Sequence, residues 1–116
     1  MDRLEAEVRA REIRVFAHID HAAGAVEAGL TLRPTELLIF GNPRAGTPLM
    51  QSVQTIGIDL PLKVLVWQDE SGKTWLSYNE PRWFAKRHGA GPETDKAVGA
   101  MAAMLGAIMK NVTERA

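Results

Sequence analysis

Two short segments hold the side chains and turns best suited to bind or transform a ligand. Residues 18–21 (HIDH) include two imidazoles and a carboxylate, groups that transfer protons and bind metals in proteins. Residues 36–49 (ELLIFGNPRAGTPL) form the other segment, in which an apolar run ends in the turn 41–43 and a second turn follows at 46–48. A strand that leads through tight turns into a helix presents backbone N–H groups and a partial positive charge, which suit an anionic or polar ligand.

The His/Asp segment allows two interpretations. In the functional one, His18, Asp20 and His21 face the same side and bind a ligand or move a proton. In the simpler one, which we favour, Asp20 accepts hydrogen bonds at the start of a helix and His21 lies in its first turn. No further ligand stands nearby at metal-binding spacing, so we predict no metal site. His88 is remote in sequence and joins this group only if the fold brings it there.

The turn at 41–48 also allows two interpretations, and the sequence leaves them evenly balanced. It lacks the Lys-Ser/Thr of a phosphate-binding P-loop and is not a dinucleotide fingerprint. Arg44 is the only cation close by, and the Asn42 amide can donate and accept hydrogen bonds inside a pocket. The alternative is that Asn42 and the glycines simply form tight turns. We expect Thr47 to cap a helix that begins at Pro48.

Three further groups combine ligand-like chemistry with an ordinary structural explanation, which we favour for each. The Tyr-Asn pair at 78–79 could line a pocket, although such a pair more often marks a strand end and a helix cap. Residues 82–87 place two aromatics among three cations, as in a nucleic-acid site, but inward packing of Trp83 and Phe84 is simpler. The last helix carries three methionines that suit haem or another apolar ligand, but also core or dimer packing: Met101, Met104 and Met109.

The composition excludes several classes of protein. At 116 residues the chain is expected to form one domain, 1–116. Its 14 basic and 14 acidic residues balance, which argues against a general nucleic-acid binder. It has no cysteine, so disulfides, thiol catalysis and thiolate metal sites are excluded. No apolar run reaches membrane-spanning length and the charged N-terminus does not resemble a signal peptide. We therefore predict a soluble cytoplasmic protein that engages no membrane.

Apolar periodicity and turn residues predict strands that alternate with helices. Ile13, Val15, Ala17 and Ile19 fall on one face of the first strand. The second strand is apolar throughout, which is typical of a strand covered on both faces. Asp20 and Gly29 suit the two ends of the second helix. The predicted strands are 13–19, 37–40, 62–68 and 73–78, and the predicted helices are 2–11, 21–28, 48–57, 82–88 and 93–113.

The pattern predicts an α+β fold, with a single mixed or mostly antiparallel sheet of about four strands and helices packed against it. The final helix has an apolar stripe that should face the sheet. It also carries further apolar residues on its other side, which one sheet cannot cover: Ala100, Ala103, Met104 and Ala107.

Several motifs between residues 16 and 88 resemble the domain-of-unknown-function family 302. The matching parts occur in the family's order, and they are Ile19-Asp20-His21, Phe40-Gly41-Asn42-Pro43, Gly46-Thr47-Pro48, Asp59-Leu60-Pro61-Leu62 and Tyr78-Asn79 before Pro81. The resemblance implies a compact α+β domain, typically a homodimer, with no agreed activity. It also implies an opening strand that this chain does not supply, which would leave one edge of the sheet bare and available for pairing.

Three functional hypotheses follow, in order of preference. The first is a non-enzymatic domain that holds a small polar or anionic ligand, with haem as an open alternative, at Asp20, His21, Gly41, Asn42 and Thr47. The second is a homodimeric structural or interaction module in which the dimer surface is the function. The third is a hydrolase or lyase in which His21 acts as general base, Asp20 orients it and the Asn42 turn stabilises negative charge.

Overall fold

The computed structural model describes residues 1–114 as one four-stranded sheet with helices packed against it, so the predicted α+β class is confirmed. Neighbouring strands are all antiparallel, in the order β1-β2-β3-β4. The strands are β1 (Arg14–Asp20), β2 (Thr35–Gly41), β3 (Leu62–Gln68) and β4 (Thr74–Tyr78). The helices are α1 (Asp2–Ala10), α2 (His21–Glu27), α3 (Pro43–Ser52), α4 (Pro81–Arg87) and α5 (Asp95–Thr113), and two 3₁₀ segments span Gln54–Asp59 and Pro92–Thr94.

The hydrophobic core lies between one face of the sheet and the helices. Leu38 and Phe40 of β2 are fully buried, and β3 alternates between buried and half-buried positions. Since strand side chains point to opposite faces in turn, this alternation marks the core face. The helices complete the core with apolar residues of α1, α3, α4 and α5: Leu4, Val8, Leu49, Phe84, Val98, Met101, Leu105 and Ile108.

The opposite face, which we call the outer sheet face, is only partly covered. The prediction that β2 is covered on both faces is therefore wrong, because Leu37 and Ile39 are half-buried. The ammonium of Lys63, the one charged side chain of β3, turns back to donate to the Pro61 carbonyl at 3.0 Å. The outer sheet face consequently presents a mainly apolar surface made by Ile19, Leu37, Ile39, Leu65, Trp67 and Trp75.

A β-bulge at Phe16 changes the face that the second half of β1 presents. Val15 lies opposite Phe40, but Ala17 lies opposite Ile39, so Phe16 is an extra residue in β1. The predicted single face of Ile13, Val15, Ala17 and Ile19 is therefore wrong after Val15. A bulge shifts the alternation by one residue, which turns Ala17 and Ile19 to the outer sheet face and His18 to the helical side.

Asp20 caps α2, as the sequence predicts. Its Oδ1 accepts a hydrogen bond from the Ala23 backbone N–H at 2.9 Å, and Gly29 follows the helix with a φ of 77°. No residue of α2 is buried, so core packing adds little to the stability of this helix and the cap matters more.

Asp20→Ala should lower the local stability of α2 by about 1 kcal/mol. Amide hydrogen exchange of residues 23–27 should therefore quicken by about fivefold. Asp20→Asn, which keeps the acceptor, should leave exchange close to the wild-type rate. Equal exchange in all three proteins would contradict this role.

The third helix begins five residues earlier than the sequence predicts. Asn42, not Thr47, is its N-cap, Pro43 takes the first helical position, and Pro48 lies inside the helix. Proline is tolerated at the first helical position because the N–H that it lacks would have no partner within the helix there. Asn is also a strong N-cap residue. The helix also ends at Ser52 rather than Gly57, and the chain continues as the 3₁₀ segment Gln54–Asp59.

Candidate functional site: an apolar cavity beside the Asn42 turn

A cavity of about 630 Å³ opens between the Gly41 end of the sheet and helices α3 and α5. This volume is in the range of small-molecule binding sites. Residues 41–48 form one side, the turn before β3 forms another, and α5 closes the third. Its apolar walls come from residues distant in sequence: Ile13, Phe16, Met50, Leu60, Pro61, Leu62, Ala97, Ala100, Met101 and Met104.

Small residues on α5 explain why this space stays open. Ala97, Ala100, Met101 and Met104 lie at helical spacing on the face of α5 that borders the cavity. Alanine at two of these positions leaves a recess that a longer side chain would occupy. The sequence assigns Ala100 and Met104 to an outward face of α5 that needs a dimer partner. Both instead line the cavity, and Met104 also packs against the core.

The backbone N–H groups at the start of α3 are already used, which contradicts the expectation that this turn offers them to a ligand. The Asn42 Oδ1 accepts from the Arg44 N–H at 2.9 Å, and the Asn42 carbonyl accepts from Ala45 and Gly46. Pro43 has no N–H to give. The donors left to a ligand are therefore side chains, namely the Asn42 amide, the Thr47 hydroxyl and the arginines of the cavity wall.

Two arginines give the cavity a positive charge. The Arg11 Nε donates to Glu7 at 2.7 Å, and Asn111 donates to the same carboxylate. The hydrogen bond from Arg11, followed by that from Asn111, holds the pKa of Glu7 below its usual value, so Glu7 is ionised at neutral pH and offsets Arg11. Arg44 makes no side-chain ion pair within residues 1–114, and it is the cation with its full charge available.

Asp20 and His21 lie far from this cavity. Asp20 pairs with Glu36 at one end of the β1–β2 ladder, whereas Gly41 pairs with Arg14 at the other end. At ~3.3 Å per residue the two ends are roughly 20 Å apart. A single pocket lined by Asp20, His21, Gly41, Asn42 and Thr47 is therefore wrong, because the turn at 41–48 lines the cavity without the Asp20-His21 turn.

The three histidines do not converge. His18 lies between two carboxylates, with Nε2 2.7 Å from Glu36 and Nδ1 3.6 Å from Glu5. His21 is exposed in the first turn of α2. His88 belongs to a separate network beyond α4. Within residues 1–114, no three His, Asp or Glu side chains are grouped so that they could hold a metal ion.

The network around His88 is a feature that sequence reasoning missed. Its Nε2 lies 2.6 Å from the Asp59 carboxylate and its Nδ1 lies 3.1 Å from the Thr55 hydroxyl, while Arg87 also donates to Asp59. The order Thr-His-Asp resembles that of a hydrolytic triad, but none of these side chains borders the cavity. The contacts fasten the segment Gln54–Asp59, and with it the Leu60–Leu62 wall of the cavity, to α4. A separation of 29 residues hides this pairing in the sequence.

The remaining candidates have structural roles. The Glu80 carboxylate caps α4 by accepting from the Arg82 backbone N–H at 3.4 Å. Phe84 is buried as predicted, but Trp83 is 54% exposed, so inward packing of Trp83 is wrong. The Arg87 guanidinium lies 5.8 Å from the Trp83 ring, which shields one face of that ring.

Comparison with known proteins identifies the family of this chain. The family model described as "Domain of unknown function DUF302" matches residues 1–111. The chain belongs to the DUF302 family. The match includes α1 and nearly all of α5, beyond the 16–88 segment whose motifs carry the resemblance in the sequence.

A solved structure agrees with the DUF302 fold. The crystal structure of an uncharacterised conserved DUF302 protein from Bacillus stearothermophilus superposes with a TM-score of 0.83 at 20% identity, covering 96% of this chain and 86% of that one. At this identity the likeness shows the fold alone.

Curated relatives of this DUF302 chain carry a different name. "Fluoride-specific ion channel FluC 1" of Brucella suis is 50% identical over 110 residues, which are 95% of this chain and 43% of the relative. The proteins named "Fluoride-specific ion channel FluC 1" of Brucella abortus and "FluC 2" of Brucella melitensis match at the same identity over 41% of their length. The chain thus spans less than half of these relatives. Among residues 1–114, no helix is both long and apolar enough to cross a bilayer.

Proposed function

We propose that this DUF302 domain is a non-catalytic binding domain whose ligand occupies the cavity beside the Asn42 turn. The observation that carries this proposal is the cavity itself, since about 630 Å³ of mostly apolar space with a few polar groups at its wall is typical of a ligand site. The apolar lining favours a ligand with a hydrophobic body over the wholly polar ligand expected from the sequence, and it leaves haem without a nearby imidazole.

The chemistry of the wall supports binding rather than catalysis. Its polar side chains are two arginines, Asn42 and Thr47, and it includes neither an imidazole nor a carboxylate. Thr47 therefore lacks a general base that could activate its hydroxyl, and no proton acceptor is positioned for acid–base chemistry. His21, the base of the enzyme hypothesis, lies at the other end of β1.

Filling the cavity tests this proposal directly. Ala100→Leu places a larger side chain in the recess and should lower the affinity for anilinonaphthalene sulfonate, an apolar fluorescent anion, by at least about tenfold. Ala103→Leu is the matched control, because residue 103 is exposed on the same helix and does not border the cavity. Circular dichroism should show both variants folded. Unchanged binding by a folded Ala100→Leu variant would refute the proposal.

The outer sheet face supports a second candidate, a homodimer that pairs these faces. Ile19 is 39% exposed and Trp75 is 42% exposed, and neighbouring apolar residues join them in one surface. Contiguous apolar surface of this kind commonly marks a protein interface. A twofold pairing would bury it against an identical surface. This surface replaces the second face of α5 as the proposed dimer surface, because Ala100 and Met104 of that face line the cavity.

The names of the curated relatives suggest where such a domain acts. A channel needs segments that cross the bilayer, and the described helices of this chain include none. The channel named in the Brucella proteins would therefore lie in the part of their length that this chain does not match, with the DUF302 domain as an accessory outside the bilayer. Liposomes reconstituted with this chain alone should release no fluoride to an ion-selective electrode, and protein-dependent release would overturn this assignment.

A further inference from the structure

The charged side chains of the cavity wall are all positive, which favours an anionic ligand. Arg11 and Arg44 border the cavity without any carboxylate in its lining. Arg11 shares its charge with Glu7, which leaves Arg44 as the group with the strongest attraction for an anion. The other polar side chains of the wall are Asn42 and Thr47. The rest of the wall is apolar and includes methionines from both α3 and α5. Methionine is flexible and polarisable and adapts to apolar ligands of varied shape.

We propose, building on the binding function above, that the ligand is an amphipathic carboxylate whose apolar body lies against Met50, Met101 and Met104 while its carboxylate meets Arg44. The planar guanidinium matches a carboxylate with two parallel hydrogen bonds. The Asn42 amide adds a donor from the same turn, because its oxygen is already engaged by the Arg44 N–H.

The state of the α3 N-terminus favours a carboxylate over a phosphate. Phosphate sites at helix ends depend on free backbone N–H groups. Here the Arg44, Ala45 and Gly46 N–H groups all bond to Asn42, and Pro43 has none. The turn therefore offers side-chain donors suited to one carboxylate and lacks a cradle of backbone donors for a phosphate.

Matched eight-carbon ligands separate the charge from the apolar contact. Calorimetry with octanoate and octanol, which share a chain and differ in the head group, should give about tenfold tighter binding of octanoate. Arg44→Gln should lower the affinity for octanoate about tenfold and leave the affinity for octanol unchanged. Arg33→Gln removes the same charge from an exposed position outside the cavity and should change neither ligand. Added salt should weaken octanoate selectively.

Each contrary outcome has a distinct meaning. Equal affinities for octanoate and octanol, both lost in Ala100→Leu, would overturn the carboxylate assignment and leave the cavity as an apolar site. Arg44→Gln that weakens both ligands equally would overturn it too, since Arg44 would then act through packing. Absence of binding by either ligand, or binding that Ala100→Leu does not affect, would overturn the binding function together with this inference.

Discussion

Phe40→Ala should destabilise the protein by about 3–5 kcal/mol, which is a large part of the ~5–15 kcal/mol that holds a typical domain together. Phe40 is fully buried in β2, where it packs on the core face between the sheet and the helices. Removing the ring forfeits its burial and leaves a void that the rigid strand can close only in part. Urea denaturation followed by circular dichroism measures the change in the free energy of unfolding.

Phe16→Ala provides the matched comparison. Phe16 occupies the bulge of β1 and is 45% exposed, with the Arg14 guanidinium 5.6 Å from its ring centre. Its loss should cost about 1 kcal/mol or less, because exposed positions contribute little. A Phe40 variant as stable as the Phe16 variant would show that the core does not lie on this face of the sheet.

Ile19→Glu should weaken self-association by at least about 100-fold if the outer sheet face forms the homodimer. In a twofold dimer the substitution acts on both subunits, so it removes two apolar contacts and introduces two charges that must lose water. Light scattering at micromolar concentration should give twice the 12.7 kDa of one chain for the wild type and a single chain for the variant.

Ile58→Glu serves as the control for this experiment. Ile58 is 72% exposed in the 3₁₀ segment before β3, away from the outer sheet face. The Ile58→Glu variant should remain dimeric, because this substitution alters no contact of the proposed interface. A wild-type mass of one chain that persists on concentration would exclude the dimer, and dissociation by Ile58→Glu alone would place the interface elsewhere.

Local rules predicted the elements of this fold well. Apolar periodicity and turn residues predicted β3 at its observed bounds and β4 to within one residue. The turn at 69–72 joins these two strands as a hairpin. Asp20 and Gly29 marked both ends of α2 because a cap and a left-handed glycine depend on residues only a few positions away.

Two errors affected the site, and competition between local signals explains the first of them. Asn42-Pro43 and Thr47-Pro48 both have the residue types of a helix start. The helix begins at the earlier pair, so Pro48 lies inside α3. The bulge at Phe16 has no sequence signal that distinguishes it from plain alternation, because only pairing with β2 reveals the extra residue.

Contacts between distant segments account for the rest. The cavity requires Ala100 of α5 to face the turn at 41–48, and the Asp59–His88 pair joins residues 29 positions apart. Neither arrangement follows from spacing along the chain. The small side chains of α5 are visible in the sequence, but alanines on a helix also suit close packing or an exposed face, so they do not by themselves indicate a cavity.

The contact between α1 and α5 brings the two ends of the described chain together. The Arg3 guanidinium donates to the Glu114 carbonyl at 2.9 Å, and Asn111 reaches Glu7 at 3.1 Å. Both ends therefore emerge side by side from the helical layer, on the opposite side of the molecule from the outer sheet face. A short linker could join them into a circular permutant reopened at the 69–72 hairpin. A tether, label or fused protein at either end would likewise project away from the sheet and leave that surface accessible.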